Sequence, residues 1–548
     1  MASELGRRRF LGVGAALAGT GLLSACGAGN MAVSLTAAAG QPKAGGSIVY
    51  LAQTLIPGYQ QQNTGSWSVE EIWDQFVELL FYPDSKGNIR PHLATGYTAN
   101  ADLTNYTIGV REGVTFSNGE KLDAEAVALN LNVLGLGQSD QGVPRNGSFP
   151  PGYSKAVATG DYTVEVAFSE PFNGFVQQGL TTATSGILAP ATLKLGLAEQ
   201  SDLNNVYGTG PWTVQSWSPS KEIVLTRRDD YNWPRPDDTH TGPAYLEQIT
   251  VQQITETALR DEALQSGEAH IAHYPQTSQE DELKSAGLAV YDPPILASVW
   301  GLHIRLNARF TNDIRVREAL TRAVNRQQIL DTNYDSAWKL PYGPLDRTIP
   351  HTPDLSARFA YDPDRASSLL DEAGWTGRDS DGYRTKNGQT LEFPEYPSVY
   401  IQTSQDDLTL MAQQYQEVGI KLTLENVDFD DYPTVTAPNL SPPVPLYEIH
   451  WTAPWPSLLW RWWHSSQENQ FGAPSKELDT ILENIVTSTT TADAYAWSVK
   501  AQQYVIDNYY FIPVHEFTEN WAAVKSLGGV TVDGGGRIRL YNAWLGQA

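Results

Sequence analysis

The sequence is poor in cysteine and in long apolar runs. Cys26 is the single cysteine among 548 residues, so we expect neither an intrachain disulfide nor a cysteine-based metal site. The apolar segment between Arg9 and Cys26 has 16 residues, whereas a helix that crosses a bilayer needs about 20. This segment therefore predicts the apolar region of an export signal rather than a transmembrane anchor.

Basic residues are also scarce. Lys and Arg number 37 against 62 Asp and Glu, which gives a formal net charge of −25. The acidic residues are spread along the chain, and this distribution argues against a disordered acidic tail. A surface of this charge repels nucleic acid and anionic lipid, so we expect no nucleic-acid partner.

The sequence lacks the motifs of common hydrolases and nucleotide-binding proteins. Its nine histidines include no His-x-x-x-His pair with an adjacent acid, which argues against a zinc hydrolase. It contains no Gly-x-Ser-x-Gly nucleophile elbow and no phosphate-binding loop. We therefore expect a binding protein with no catalytic residues, no metal and no cofactor, rather than an enzyme.

The first 26 residues resemble the signal of an exported lipoprotein. Arginines 7 to 9 followed by Phe10-Leu11 resemble a twin-arginine export signal. Leu23-Ser24-Ala25-Cys26 resembles the lipobox of bacterial lipoproteins, whose cysteine is acylated and becomes the first mature residue. The resemblance makes Cys26 the predicted lipid attachment site. Residues 27–44 are rich in Gly, Ala, Ser and Thr and lack an apolar period, which predicts a flexible tether. The alternative is an ordinary secretory peptide whose cysteine is incidental.

Helix and strand signals are mixed throughout the rest of the chain and predict an α/β fold. Residues 46–51 and the alternating apolar positions of residues 106–110 predict strands. Ser68 and Glu71 predict a capping box at the start of a helix, and Asp362-Pro363 predicts an N-cap followed by proline. The chain is too long for one hydrophobic core, so we expect two or more domains.

Short motifs follow one another in a fixed order over residues 45–525. They are residues 76–80, Pro91-His92-Leu93-Ala94, residues 106–119, Gly208-Thr209-Gly210-Pro211-Trp212, residues 263–268, residues 316–320, Tyr361-Asp362-Pro363 and residues 372–375. Together they resemble the extracellular solute-binding proteins of family 5, the peptide- and nickel-binding receptors of ABC importers. The resemblance implies two lobes hinged around a buried cleft, a periplasmic-binding-protein-like fold, with an extra domain inserted in the first lobe.

By analogy with that family, the chain divides into five parts. Residues 1–26 are the signal and residues 27–44 the tether. Lobe I comprises residues 45–76, 205–300 and 520–548, the insert comprises residues 77–204, and lobe II comprises residues 301–519. These three names denote the same residues throughout.

A tryptophan-rich stretch, residues 451–463, is the first candidate for the cleft wall. Trp451 and Trp455 match aromatic positions of peptide-binding relatives, in which a nearby Asp holds the amino group of the ligand. This chain has no acid between Trp451 and Trp460, a departure that argues against recognition of a free amino group and favours stacking and apolar contact. The alternative is that these tryptophans are packing residues.

Four further residues are candidate ligand contacts. Glu516 and Phe517 lie in a segment whose family counterpart often lines the cleft, and Glu516 would supply a negative charge there. Trp300 lies at the expected crossing between the lobes. Gln53 follows the first predicted strand, where it would face the cleft. Glu516 is equally compatible with a solvated strand position, so both interpretations stay open.

These observations predict a solute receptor that is held by lipid on the extracytoplasmic face of the cell membrane. It would bind a peptide or a similar small molecule in the cleft and deliver it to an ABC permease, and we expect a monomer. Two alternatives remain, a surface-anchored hydrolase that uses the same cleft and a sensor that signals ligand without transport. An apolar or aromatic molecule or a sugar would also suit tryptophan faces.

Overall fold

The computed structural model describes residues 33–34, 40–61, 67–147, 149–399, 401, 403–428, 431–437, 440–448, 450–452, 455–467 and 469–546. The predicted signal, with Cys26, lies outside the described residues, as does most of the predicted tether. No helix in the described part of the chain combines the length and the apolar character needed to cross a membrane.

Helices and strands are mixed along the whole chain, as the sequence predicts. The helices are α1 Trp67–Phe76, α2 Ala124–Leu136, α3 Pro190–Leu193, α4 Leu197–Gln200, α5 Thr257–Ser266, α6 Glu280–Ser285, α7 Ile314–Arg322, α8 Arg326–Asn333, α9 Pro363–Glu372, α10 Ser404–Val418, α11 Tyr432–Val435, α12 Ser457–Trp463, α13 Lys476–Thr487 and α14 Thr491–Asp507. The strands are β1 Val33–Ser34, β2 Ser47–Ala52, β3 Phe81–Pro83, β4 Ile89–Pro91, β5 Ala94–Ala99, β6 Asn105–Val110, β7 Tyr153–Gly160, β8 Thr163–Phe168, β9 Trp212–Ser218, β10 Glu222–Arg227, β11 Gln248–Gln253, β12 Ile271–His273, β13 Leu288–Tyr291, β14 Trp300–Ile304, β15 Gly377–Arg378, β16 Arg384–Lys386, β17 Gln389–Thr390, β18 Glu392–Glu395, β19 Lys421–Leu424, β20 Leu446–Glu448, β21 Phe511–His515, β22 Trp521–Val524, β23 Leu527–Gly528, β24 Thr531–Val532, β25 Ile538–Arg539 and β26 Trp544–Leu545.

A seven-stranded sheet gathers distant parts of the chain. Its order is β13-β22-β12-β2-β11-β10-β9, so it combines residues 47–52, strands from residues 212–291, and residues 521–524. The central strand β2 pairs in parallel with both β11 and β12. Its residues form a nearly continuous apolar run, as expected for a strand covered on both faces. Every strand of this sheet comes from lobe I.

The insert contains an antiparallel sheet of its own. Its strands lie in the order β5-β6-β8-β7, and β6 alternates between exposed and buried residues, as expected for a strand with one face towards the core. Helix α2 packs on this sheet, and the side chain of Asp123 caps its first turn by accepting from the N–H of Ala126.

Lobe II is built around a three-stranded antiparallel sheet in the order β20-β14-β21. Its residues and the apolar faces of α7, α9 and α10 share one hydrophobic cluster, which includes Leu302, Leu320, Leu369 and Met411. Helices α12 and α13 instead share the larger cluster of lobe I and the insert. Lobe II and the insert therefore touch directly, and their contact also includes the edge-to-face pair of Phe172 and Trp460.

The capping box predicted at Ser68 is wrong. Helix α1 spans Trp67–Phe76 and so includes Ser68, which is therefore not the residue that precedes the helix. The carboxylate of Glu71 accepts a hydrogen bond from the hydroxyl of Tyr50 on the neighbouring strand. A tertiary contact has thus replaced the local bond that the sequence pattern predicts.

Candidate ligand-binding site

Two segments connect the sheet of lobe I with the sheet of lobe II. The outgoing crossing, residues 292–299, leads from β13 to β14. The returning crossing, residues 516–520, leads from β21 to β22. Thr518 forms an isolated β-bridge with Pro294, and its hydroxyl donates to the carbonyl of Pro293 at 2.7 Å. The two crossings therefore lie side by side, an arrangement that suits a hinge between lobes.

A cavity lies against the returning crossing. Its walls come from the crossing and from both lobes, and they comprise Phe517, Thr518, Asn520, Tyr274, Thr277, Trp338 and Thr403. The cavity has a volume of about 10 Å³, which is room for about one water molecule. Among the described residues, none with a formally charged side chain lines it. Because both lobes supply walls, any separation of the lobes enlarges this cavity.

A chain of buried hydrogen bonds lies behind the lobe I wall. His273 Nε2 is 2.6 Å from Oε2 of Glu519 and 3.0 Å from Oε1 of Glu71. The hydroxyl of Tyr274 donates to Oε1 of Glu519 at 3.0 Å, and Tyr50 donates to Glu71. This chain joins Tyr274 at the cavity wall to Glu519 in the returning crossing.

The charges in this chain are strongly coupled. Burial raises the pKa of the Glu519 carboxyl to about 7, against the opposing effect of His273. Burial alone would lower the pKa of His273, but the adjacent carboxylates of Glu71 and Glu519 raise it to about 9. The imidazolium of His273 therefore lies between the carboxyl groups of Glu71 and Glu519.

Lobe II holds the other end of the returning crossing through His515. The Nε2 atom of His515 lies 2.9 Å from the hydroxyl of Tyr334 and 3.2 Å from Oδ2 of Asp407. Trp338 packs edge to face against His515 and Phe517, with ring centroids 5.1 Å and 5.7 Å apart. The crossing is thus fixed to lobe II at His515 and to lobe I at Glu519.

Of the six predicted contact residues, Phe517 lines the cavity. Trp451 lies beside the outgoing crossing, where the N–H of Ser298 donates to its carbonyl at 3.0 Å. Its ring is half-buried beneath the guanidinium of Arg461, whose carbon lies 3.7 Å from the ring centroid. Gln53 is half-buried directly after β2. These residues keep their predicted roles as hypotheses.

The other three predicted residues have protein partners in this structure. Trp300 is fully buried, donates from Nε1 to Glu448 at 3.0 Å and stacks on His515. Glu516 accepts from Nε of Arg347 at 2.6 Å, so its carboxylate is already neutralised. Trp455 is 5% exposed and packs against Tyr495, which is the packing alternative that the sequence leaves open.

Sequence reasoning missed six of the cavity residues. Thr518 follows Phe517 directly and Asn520 lies three residues after Phe517, so closeness in sequence to a predicted contact was an available signal for them. Tyr274, Thr277, Trp338 and Thr403 belong to three separate stretches that only the tertiary structure brings together. No local pattern distinguishes them in the sequence.

Two groups of described residues have donor atoms close enough to hold a metal ion, Glu71–His273–Glu519 and Glu280–Asp292–Asp335. In the first group the 2.6 Å contact between His273 and Glu519 is a hydrogen bond, whereas two ligands of one zinc ion lie roughly 3.3 Å apart. In the second group the ammonium of Lys284 lies 3.4 Å from Glu280 and 3.2 Å from Asp335. In both groups a hydrogen bond within the protein thus already occupies some of the candidate ligand atoms.

Comparison with known proteins places this arrangement in a family. The model of the bacterial extracellular solute-binding proteins, family 5, middle region, matches residues 88–501. The chain belongs to this family. The glutathione-binding protein GsiB of Salmonella paratyphi A is 28% identical to this family 5 protein over 381 residues, 68% of each chain. The named relatives of this chain are binding proteins rather than enzymes.

Solved structures share the fold. The oligopeptide-binding protein AppA of Bacillus subtilis, solved with a nonapeptide, superposes with a TM-score of 0.79 at 18% identity, covering 92% of this chain and 100% of AppA. NikA of Brucella suis, solved with Fe(III)-EDTA, gives a TM-score of 0.76 at 22% identity and covers 91% and 100%. The predicted family and the two-lobed α/β fold are thereby confirmed. The division into lobes and insert stays a prediction.

Proposed function

We propose that this family 5 protein is a receptor attached by lipid at Cys26 to the extracytoplasmic face of the cell membrane. It captures a peptide or a similar small molecule between lobes I and II and delivers it to an ABC permease. The observation that carries the proposal is the cavity at the paired crossings, whose walls come from both lobes. A ligand held there contacts both lobes at once and so favours the closed form.

In this proposal the lobes open and close by bending at the two crossings. Separation of the lobes about residues 292–299 and 516–520 exposes the cavity wall, and closure buries the ligand and creates one surface for the permease. Phe517, Trp451 and Gln53 supply ligand contacts in this scheme. Trp300, Trp455 and Glu516 do so only if their present protein contacts open. In this scheme the receptor acts as a monomer, because the cavity wall described above needs no second chain.

Peptide is the favoured ligand class because the relatives named above bind glutathione and a nonapeptide. Recognition of a free amino group is disfavoured for two reasons. The stretch from Trp451 to Trp460 contains no acid, and the carboxylate of Glu516 is bound to Arg347. The ligand is then held mainly by aromatic contact and by uncharged hydrogen bonds.

Mass spectrometry of the full chain purified from membranes tests capture. We expect a peptide or small molecule to co-purify and to be released on denaturation. When it is added back to stripped protein, small-angle scattering should show a smaller radius of gyration. Hydrolysis of the returned molecule would support the hydrolase alternative, and binding without uptake in cells would support the sensor. Loss of both co-purification and compaction contradicts the proposal.

The membrane anchor has a separate test. Cys26→Ser removes the predicted acylation site, so the variant should leave the membrane fraction while it retains ligand binding. Ser24→Ala alters the same stretch and keeps the cysteine, so it should sediment with membranes like the wild type. A Cys26→Ser protein that still sediments with membranes contradicts lipid attachment at this residue.

A further inference from the structure

One segment of the insert, residues 172–181, bonds to both lobes. On the lobe I side, the guanidinium of Arg537 donates to the carbonyl of Thr181 at 2.7 Å. Arg537 is itself buried and held in place, because it lies 3.1 Å from Asp533 and 3.2 Å from Asp74. A hydrogen bond from a charged donor is stronger than one between neutral groups. The end of the segment is therefore firmly attached to lobe I.

The start of the same segment bonds to lobe II. The main-chain N–H of Asn173 donates to the carbonyl of Val486 at 2.6 Å, and its side chain donates to the carbonyl of Ser488 at 2.7 Å. The hydroxyl of Ser457, at the start of α12, donates to Oε1 of Gln178. These three bonds join uncharged groups, and the side chains of Asn173, Gln178 and Ser457 are buried. The segment thus bridges the lobes independently of the two crossings.

Gly174 allows lobe II to come this close to the insert. It adopts the left-handed conformation, with φ of +94°, and an added Cβ would lie 2.4 Å from Cδ1 of the Trp455 ring. Carbon atoms that are not bonded prefer a separation of about 3.5–4.0 Å, so a larger residue would push this ring away. A π-helical turn, Phe175–Gly179, follows directly, and such turns are frequent at functional sites.

The two ends of the segment differ in strength. The lobe I end depends on a charged donor, whereas the lobe II end depends on uncharged hydrogen bonds and on ring contacts, so the lobe II end is the one that separates more easily. We propose that residues 172–178 form a latch that stays with lobe I and holds lobe II in the closed form. The inference rests on the lobe movement of the proposed function, and it gives the insert a role in that movement.

Gly174→Ala tests the latch in the full chain after bound molecules have been stripped from it. The added methyl group collides with the ring of Trp455 only while the latch is closed. Overpacking of this kind should raise the ratio of open to closed protein about fivefold or more. We therefore expect small-angle scattering to give a larger radius of gyration than for the wild type, while circular dichroism shows that the variant is folded.

Gly142→Ala is the matched control. Gly142 also belongs to the insert and adopts the left-handed conformation, with φ of +72°, but an added Cβ there meets no atom within 4 Å. Both variants therefore share the backbone strain of an alanine in this conformation, and only Gly174→Ala gains the collision. Gly142→Ala should keep the radius of the wild type.

Ser457→Ala tests the latch from the lobe II side and leaves the glycine turn intact. It removes the hydroxyl that donates to Gln178, so the latch should open more often. The N–H of Asn173, which is bonded across the interface, should then exchange its hydrogen about two- to tenfold faster, the value of one hydrogen bond. Ser498→Ala removes a buried hydroxyl that accepts from Gln502 inside lobe II, so it should leave this rate unchanged.

A folded Gly174→Ala protein that is as compact as Gly142→Ala overturns the proposal, even if exchange at Asn173 is faster, because the turn then loosens without separating the lobes. If Gly174→Ala does not fold, the serine variants decide, and equal exchange at Asn173 in Ser457→Ala and Ser498→Ala overturns the proposal. In each case a co-purified molecule that compacts the wild type leaves the proposed function standing. A wild-type protein that captures nothing contradicts the proposed function, whatever the radii of the variants.

Discussion

The positive charge of His273 stabilises the buried carboxyl groups of Glu71 and Glu519. Its imidazolium lies between Glu71 and Glu519, and all three side chains are buried. Without that positive charge, two carboxylates would share an apolar site, where burying unpaired charge is costly. Because Glu519 belongs to the returning crossing, the protonation of His273 also affects how firmly that crossing is held against lobe I.

The free energy of unfolding should fall as pH rises, because His273 and Glu519 both bind protons more tightly in the folded protein than in the unfolded chain. The pKa of His273 is raised from 6.5 to about 9, so its contribution is complete below about pH 6.5 and is lost as pH passes 9. A raised pKa of Glu519, from 4.5 to about 7, has the same sign between those values. His273→Gln should remove about 2–3 kcal/mol of unfolding free energy at pH 6 and flatten its decline between pH 6.5 and 9.

Urea unfolding at several pH values measures this dependence. His270→Gln is the control, because His270 lies next to β12 but its pKa is lowered by burial. The control should retain the decline in stability between pH 6.5 and 9. An unchanged decline in His273→Gln would assign the pH dependence to other groups.

Mutation of Trp455 can show whether this residue packs the fold or contacts the ligand. Its buried ring lies against Tyr495 and against the backbone at Gly174 of the insert. Truncation of a buried tryptophan costs about 3–5 kcal/mol, so Trp455→Ala should lower the melting temperature strongly and leave ligand affinity nearly unchanged. Trp497→Ala, at a half-buried position on α14, is the control for loss of a ring. A tenfold loss of affinity with normal melting would restore Trp455 to the cleft.

Single residues whose role is local were predictable from the sequence. Asp313 and Asp362 cap α7 and α9, and Gly419 ends α10 in the left-handed conformation, because these signals depend only on neighbouring backbone groups. Glu71 was assigned wrongly, since its partners Tyr50 and His273 are distant in sequence. Local chemistry cannot reveal a bond whose other half arrives by folding.

At the scale of elements, the contact between the insert and lobe II includes hydrogen bonds from one turn of the insert to the end of a lobe II helix. The main-chain N–H of Asn173 donates to the carbonyl of Val486 at 2.6 Å, and its side chain donates to the carbonyl of Ser488 at 2.7 Å. These carbonyls lie at the end of α13, where helix carbonyls lack intrahelical partners. The insert thus caps a helix of lobe II.

Removal of that side-chain cap should loosen the helix end locally. Asn173→Ala deletes the bond to Ser488, so we expect about 1 kcal/mol lower stability and faster hydrogen exchange near residues 484–488. Asn484→Ala serves as the control, because its side chain bonds within α13 to the carbonyl of Thr480. Exchange in this segment that stays at the wild-type rate in Asn173→Ala would show that the insert does not stabilise the end of α13.

Strands with clear periodicity were predicted well, and their partners were not. Residues 106–110 alternate as expected and form β6, and residues 46–51 form most of β2. The position of β2 in the centre of a sheet with β11 and β12 follows from contacts between residues about 200 positions apart. Periodicity reports which face of a strand is buried and contains no information on its neighbour.

At the scale of the whole molecule, the resemblance to a family predicted the architecture, and the tertiary structure alone revealed the cavity. The family could be recognised from a series of short motifs, and these motifs consist largely of turn and helix-cap residues that are close together in the sequence. The seven cavity residues come from separate positions in both lobes and in the crossing. Their convergence is a property of lobe closure, so it was beyond the reach of any single stretch of sequence.

Two side-chain contacts outside the crossings help to hold lobes I and II together near the cavity. Thr277 donates to the carbonyl of Asn333 at 2.7 Å, and Lys284 binds Asp335 at 3.2 Å. The first bond is part-buried, and the second involves a lysine side chain that is 40% exposed. An exposed ion pair contributes only about 0–1 kcal/mol, so together the two contacts bias the lobes by about 1–2 kcal/mol.

The double variant Thr277→Val and Lys284→Ala should therefore shift the ligand-free protein towards an open form. We expect small-angle scattering to give a larger radius of gyration than for the wild type, and saturating ligand to reverse the increase. The bias of about 1–2 kcal/mol corresponds to roughly a five- to thirtyfold change in the open population. Lys421→Ala breaks an ion pair with Glu392 inside lobe II, at 2.8 Å, so it should leave the radius unchanged. A double variant as compact as this control would mean that the crossings and the contact between insert and lobe II hold the closed form without these two bonds.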